Sequence, residues 1–153
     1  EHFEWIKKIA LKYPELNIAI KHKKNFNDMK EISIFKGVKN IKYIVDQSTD
    51  YSDSYVLGSK AKSLFTWSST LGFELMSLKK NCFFLDPKNS NHSFLPNNKT
   101  NNLIRITNFK KFENIFKKNL NNKNVNLIKN YDNYCFDSRR TSENIINYLD
   151  NIN

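Results

Sequence analysis

Long hydrophobic runs are missing from this 153-residue chain, and no apolar stretch approaches the roughly 20 residues that a helical membrane span requires. Cysteine is scarce: Cys82 and Cys135 stand far apart, without the short spacing of a metal or redox pair. Thiol chemistry is thereby disfavoured and a reducing, cytosolic setting expected. The three histidines, His2, His22 and His92, are scattered and make no metal-ligating set, so no metal is expected. No secretory leader opens the chain; Glu1-His2-Phe3-Glu4 stands where Met and a basic segment would, and Phe3 to Leu11 already reads as helix. The chain reads as a piece of a longer one.

Acidic residues are also few. Fifteen Asp and Glu face 25 Lys and Arg, giving a net charge of +10. Such a surplus suits an anionic partner: a nucleotide, a phosphorylated substrate, an anionic membrane surface or a nucleic acid. Twenty-four asparagines beside many Lys and Ile also suggest an AT-rich coding bias, so a solvated basic surface accounts for the charge equally well.

Strand-like and helix-like segments alternate along what remains. Glu4 to Lys12 carries Trp5, Ile6, Ile9 and Ala10 on a helical period, and Pro14 stops it. Leu16 to Ile20 reads as a strand delivering Lys21 and His22 to its carboxyl end, and Asn25 to Lys30 as polar loop. Ile41 to Val45 reads as a second strand ending at Asp46, followed by a helix capped by Asp50 or Ser52 and running to about Lys60. Leu64, Phe65 and Trp67 form a third apolar run, read as a buried strand, and Cys82 to Leu85 a further apolar strand. Pro87 to Asn102, with two of the three prolines, reads as an extended loop. Leu103 to Thr107 reads as a strand, Phe109 to Leu120 as a helix with a phenylalanine side and a lysine side, and about Thr141 to Ile152 as a final helix. The strands are short apolar runs rather than polar–apolar alternations. That favours a mostly parallel sheet covered on both faces. With right-handed crossovers, the expectation is one α/β domain over residues 1–153, a Rossmann-like three-layer α/β/α fold with ligands beyond the carboxyl ends of its strands.

Residues 62–87 carry the most information. Ser68, Ser69 and Thr70 stand where a strand ends and a helix begins, the place where backbone N–H groups and the helix dipole attract an anion. One of the three must serve as an ordinary N-cap. Leu71, Glu74, Leu75 and Leu78 share a stripe at i, i+3, i+4 and i+7, which sets a carboxylate in or beside an apolar face. A buried carboxylate wants donors, and a ribose diol presents two; a half-solvated glutamate near a helix N-terminus is the plainer alternative. Gly72 costs about 1 kcal/mol against Ala in a helix, so close approach of a ligand or of a neighbouring strand is expected there. Arg139-Arg140, before the final helix, reads as an exposed basic pair rather than a phosphate contact. The phenylalanine side of the Phe109 helix fits docking on the sheet better than lying on a membrane.

Ser68-Ser69-Thr70-Leu71-Gly72-Phe73-Glu74, with Leu78-Lys79-Lys80-Asn81 and Phe83-Phe84-Leu85-Asp86-Pro87, resembles an element of GT-B glycosyltransferases. The likeness is to transferases of bacterial surface (capsular or lipopolysaccharide) polysaccharide biosynthesis, and more distantly to CDP-glycerol glycerophosphotransferases. Trp5 to Pro14 with Leu16 to His22, and Phe136 with Ser138 to Leu149, are similar to the flanking elements. Lys79-Lys80-Asn81 replaces a Gly-Lys-Pro-like turn, and His22-Lys23 a His-Pro pair. The resemblance implies a carboxyl-terminal, donor-binding half. Ser68, Ser69 and Thr70 would bind the diphosphate of a nucleotide sugar, His22 would reach toward the phosphates or the transferred group, and Glu74 would hold the ribose. It implies no further cofactor, an acceptor glycan bound through an amino-terminal half, and little or no turnover by this chain alone. A cytoplasmic location follows, with peripheral association at the inner face of the membrane as an option.

Two other classes compete. A UDP-sugar 2-epimerase-like enzyme shares the architecture but needs acid and base carboxylates from another domain. A nucleic-acid-binding module would use the charge and the 14% aromatic content. The aromatics fall on expected core stripes, however, and no nucleic-acid-binding signature is present. Nucleic acid is not an expected partner.

Overall fold

A computed structural model of the chain describes residues 1–22, 33–45, 52–67, 69–89 and 101–121. Helix α1 spans His2–Lys12 and buries Trp5, Ile9 and Ala10, the face its spacing demands. Tyr13 N–H closes the last turn on Ile9 O at 2.9 Å, and Pro14 follows. Strand β1 (Ile18–His22) then pairs in parallel with β2 (Ile41–Val45), Ile18 opposite Ile41 and His22 opposite Val45. Asn40, just before β2, donates from its side-chain amide to Ala10 O at 3.1 Å and Tyr13 O at 3.2 Å. One amide thus serves two carbonyls at the end of α1, of which Tyr13 O also accepts from Leu16 N–H, and ties that end to the sheet.

Helix α2 (Ser52–Lys60) leads to β3 (Leu64–Thr66), α3 (Thr70–Ser77) and β4 (Cys82–Leu85). A short helix α4 (Asn101–Ile104), strand β5 (Arg105–Ile106) and helix α5 (Phe109–Asn121) complete the described chain. Strands β3, β4 and β5 lie side by side in that order, all parallel. Among the described residues this sheet and the β1–β2 pair are hydrogen-bonded separately.

β4 is buried at every residue, as a strand covered on both faces must be. Successive side chains point to opposite faces. Phe83 stacks on Phe65, with 5.3 Å between centroids, and Phe65 packs on Phe112 and Phe116 of α5 at 5.0 and 4.9 Å. Trp5 of α1 joins them against Phe112 at 5.9 Å. Phe84 faces the other way, onto Phe73 of α3 at 4.7 Å and onto Gly72. Helices α1 and α5 therefore cover one face and α3 the other. α2 packs on α3 at Gly58, where a Cβ would fall 2.3 Å from Leu75 Cδ1.

The result is a mixed α/β fold with parallel strands. Expected elements recur at Ile41–Val45, Ser52–Lys60, Cys82–Leu85 and along α5, whose phenylalanine side lies in the core as expected. Others shift. The first strand is Ile18–His22 rather than Leu16 to Ile20. The expected strand from Leu103 begins as helix α4, leaving only Arg105–Ile106 extended. Trp67 lies beyond β3 and is 49% exposed rather than buried. The expected loop at Asn25 to Lys30, most of the one following Pro87, and the final helix fall outside the described residues. No described helix is long and apolar enough to cross a membrane.

Candidate functional site at the carboxyl end of β3

Ser69, Thr70 and Glu74, three of the residues singled out by the sequence, stand where β3 gives way to α3 and along that helix. Ser69 is extended (φ −145°, ψ 132°) and caps the helix: its Oγ accepts from Leu71 N–H at 3.3 Å. Its carbonyl accepts from Gly72 N–H at 3.1 Å. Two first-turn donors are thus used by the cap itself, so Ser69 performs the ordinary N-cap role. Thr70, the first residue of the helix, is exposed. Ser68 lies outside the described residues.

Glu74 does not share an apolar face. The buried line along α3 is Gly72, Leu75 and Met76, while Glu74 and Leu78 are exposed. Helix α3 ends at Ser77, so Leu78 leaves the helical wheel that would have grouped it with Leu71 and Leu75. One carboxylate oxygen of Glu74 accepts a hydrogen bond from the Tyr55 hydroxyl of α2. That bond raises the Tyr55 hydroxyl above its ordinary pKa, because ionisation would forfeit it. Thr70 and Glu74, four residues apart, share the exposed side of the helix. Gly72 is small for the sake of the neighbouring strands: a Cβ there would meet Phe84 and Thr66.

The turn after α3 forms despite lacking glycine. Lys79 N–H bonds Met76 O at 2.8 Å, Lys80 N–H bonds Leu75 O at 3.1 Å, and Lys79 adopts φ +59°. This is a Schellman closure with lysine in the left-handed position. His22, described by its backbone, ends β1 opposite Val45.

Sequence reading missed several neighbours of this edge. Asp86 follows β4 directly, and its Oδ2 accepts from Arg105 Nε at 2.9 Å and from Arg105 Nη2. Both side chains are 3% exposed. A lone arginine in the apolar run Leu103 to Thr107 was the available signal, since a buried charge must be paired. Lys111 donates to Arg105 O, and burial, followed by the Arg105 charge, lowers its ammonium pKa. His2, at the start of α1, sets its ring against Trp67 with centroids 4.9 Å apart, and burial is the main cause that lowers its pKa. A hollow of about 330 Å³, lined by Ser33, Phe35, Lys36, Ile41 and Tyr43, includes the amino end of β2 rather than the carboxyl ends of the strands. Among the described residues no three His, Cys, Asp or Glu side chains gather to hold a metal.

Comparison with known proteins finds no similar protein-family model, curated protein or solved structure.

Proposed function

We propose that this chain is the donor-binding, carboxyl-terminal half of a GT-B-type glycosyltransferase of surface-polysaccharide biosynthesis, taking a nucleotide sugar at the carboxyl end of β3. One observation carries the reading. A parallel strand leads into a capped helix whose exposed side presents a hydroxyl, Thr70, and one turn later a carboxylate, Glu74. The positive end of the helix dipole and the Thr70 hydroxyl suit phosphate oxygens, although Leu71 and Gly72 N–H are taken by the cap. Thr70 and Glu74 stand about 6 Å apart along the axis at 1.5 Å per residue, a span that a nucleotide bridges from phosphate to ribose. A carboxylate accepts about four hydrogen bonds, so the one from Tyr55 leaves capacity for a diol.

Helices on both faces of β3–β4–β5 support a three-layer, Rossmann-like domain. In this reading the ligand lies beyond the carboxyl ends of the parallel strands, with His22 assigned to its phosphates or the transferred group. The acceptor glycan belongs to an amino-terminal half, and the protein works in the cytoplasm, at the inner face of the membrane.

Thermal denaturation with UDP, CDP or CMP tests the reading. At a ligand concentration of 100 Kd the stabilisation is about 2.7 kcal/mol. For a chain of this size that raises Tm by roughly 5–10 °C. Glu74→Ala removes the shift. Absence of a shift with every nucleotide, or one that Glu74→Ala leaves whole, overturns the assignment.

A further inference from the structure

We propose that Trp67 is the nucleobase platform of this site, its indole stacking on the base of the bound nucleotide; this rests on the donor-site reading above. The protein has two tryptophans, and the fold treats them differently. Trp5 is 7% exposed, in the core, whereas Trp67 is 49% exposed. Trp67 follows the last residue of β3 and precedes the cap Ser69 by two positions. Two extended residues reach at most about 7 Å, so the indole is tethered within one nucleoside length of the hydroxyl corner.

The ring is also held. His2 packs on it edge to face at 4.9 Å, Phe3 lies 4.3 Å from His2, and Phe35 closes on Phe3 at 5.8 Å. Phe35 is 6% exposed, which anchors the series in the buried part of the molecule. A ring fixed in advance loses little freedom when a ligand covers it. Its contact with His2 places Trp67 on the side of α1, while Thr70 and Glu74 belong to α3 on the opposite face of the sheet. A ligand touching all of them lies across the carboxyl edge of β3, its base on one side and its ribose and phosphates on the other. Stacking accepts any base, so the platform supplies affinity while leaving the choice of base to other contacts.

Tryptophan emission of the full chain reads this directly, because acrylamide reaches Trp67 and hardly Trp5. UDP and CDP should quench the emission and protect it from acrylamide, whereas inorganic pyrophosphate should do neither. Trp67→Ala should weaken UDP binding about 5- to 150-fold. Trp67→Phe should restore most of the affinity, and pyrophosphate binding should be equal in all three proteins. Nucleotides that raise Tm in a Glu74-dependent way, yet leave the emission and the Trp67→Ala affinity unchanged, overturn the platform and leave the donor site standing. If no nucleotide raises Tm, both fall together.

Discussion

Gly72 lies directly against the ring of Phe84: a Cβ on that glycine would stand 2.9 Å from Phe84 Cζ and 3.1 Å from Thr66 Cγ2. Phe84 is 1% exposed and has nowhere to retreat. Replacing Gly72 by alanine gains about 1 kcal/mol of helix propensity. Overpacking costs about 1–3 kcal/mol. Gly72→Ala should therefore lower stability by up to about 2 kcal/mol, and Gly72→Val by more, since valine adds two methyl groups and loses the propensity gain. Urea denaturation reads both. A stabilised Gly72→Ala would mean that α3 stands further from the sheet than the Phe84 contact requires.

Lys79 makes the opposite prediction. Its φ of +59° carries a penalty of about 1–2 kcal/mol for a residue with a Cβ. Glycine removes that strain and costs about 0.5–1 kcal/mol of extra unfolded-state entropy. Lys79→Gly should raise stability by about 0.5–1 kcal/mol, seen as an increase in Tm of about 1–4 °C. Lys80→Gly, one position on, should lower Tm. Loss of stability in Lys79→Gly would contradict the left-handed closure of α3.

These two positions also show what the sequence disclosed and what it hid. Gly72 was legible as a site of close approach, though not which neighbour came close, because Thr66 and Phe84 reach it only through sheet pairing. Helix α5 was legible because its apolar residues repeat over three turns; β2 and β4 were legible as short apolar runs between polar ones. Leu103 to Thr107 was not, since five residues are too few for periodicity to separate a helical turn from a strand. Glu74 was misread through Leu78, which continues the i+7 pattern on paper but sits past the end of the helix. Ser69 and Thr70 were legible as the residues that open α3. Their division of labour was not, because capping by Ser69 is set by backbone angles. Asp86 and Arg105 are 19 residues apart, and nothing local in the sequence links them.

That pair should reveal itself through an asymmetry. Arg105 and Asp86 are held by two hydrogen bonds in a site with almost no water access. Removing one partner takes these two bonds from a charge that stays buried, at a cost of up to about 3–5 kcal/mol, whereas replacing both by apolar residues removes the desolvation penalty too. Arg105→Met and Asp86→Leu should each be strongly destabilising, and the double variant less so than the sum of the two. A double-mutant cycle in urea gives the coupling directly. Additive losses would mean that the two side chains do not depend on one another.

Glu113 joins α1 to α5 and should make that junction sensitive to acid. Its Oε1 accepts from Lys12 Nζ and from the Tyr13 hydroxyl at 3.0 Å, with Lys117 Nζ at 3.8 Å one turn along. The hydrogen bond from Lys12 is the main cause holding the Glu113 carboxyl below its ordinary value of 4.5, with Tyr13 and Lys117 adding to it and burial opposing. A carboxyl depressed in the folded state stabilises the fold above its ordinary value, and that stabilisation is lost as pH falls through the folded value. The same bond raises Lys12 above 10.5, so its share is present below that pH and fades as pH rises through the folded value. The Tm difference between the native chain and Glu113→Gln should be constant from about pH 5 to pH 10. It should close progressively below pH 4.5. Added salt should shrink the plateau, because the Lys12 side chain is 56% exposed and its charge is screened. A Tm difference that widens on acidification would show that Glu113 is held protonated in the folded chain, and would separate α1 from α5 as an electrostatic pair.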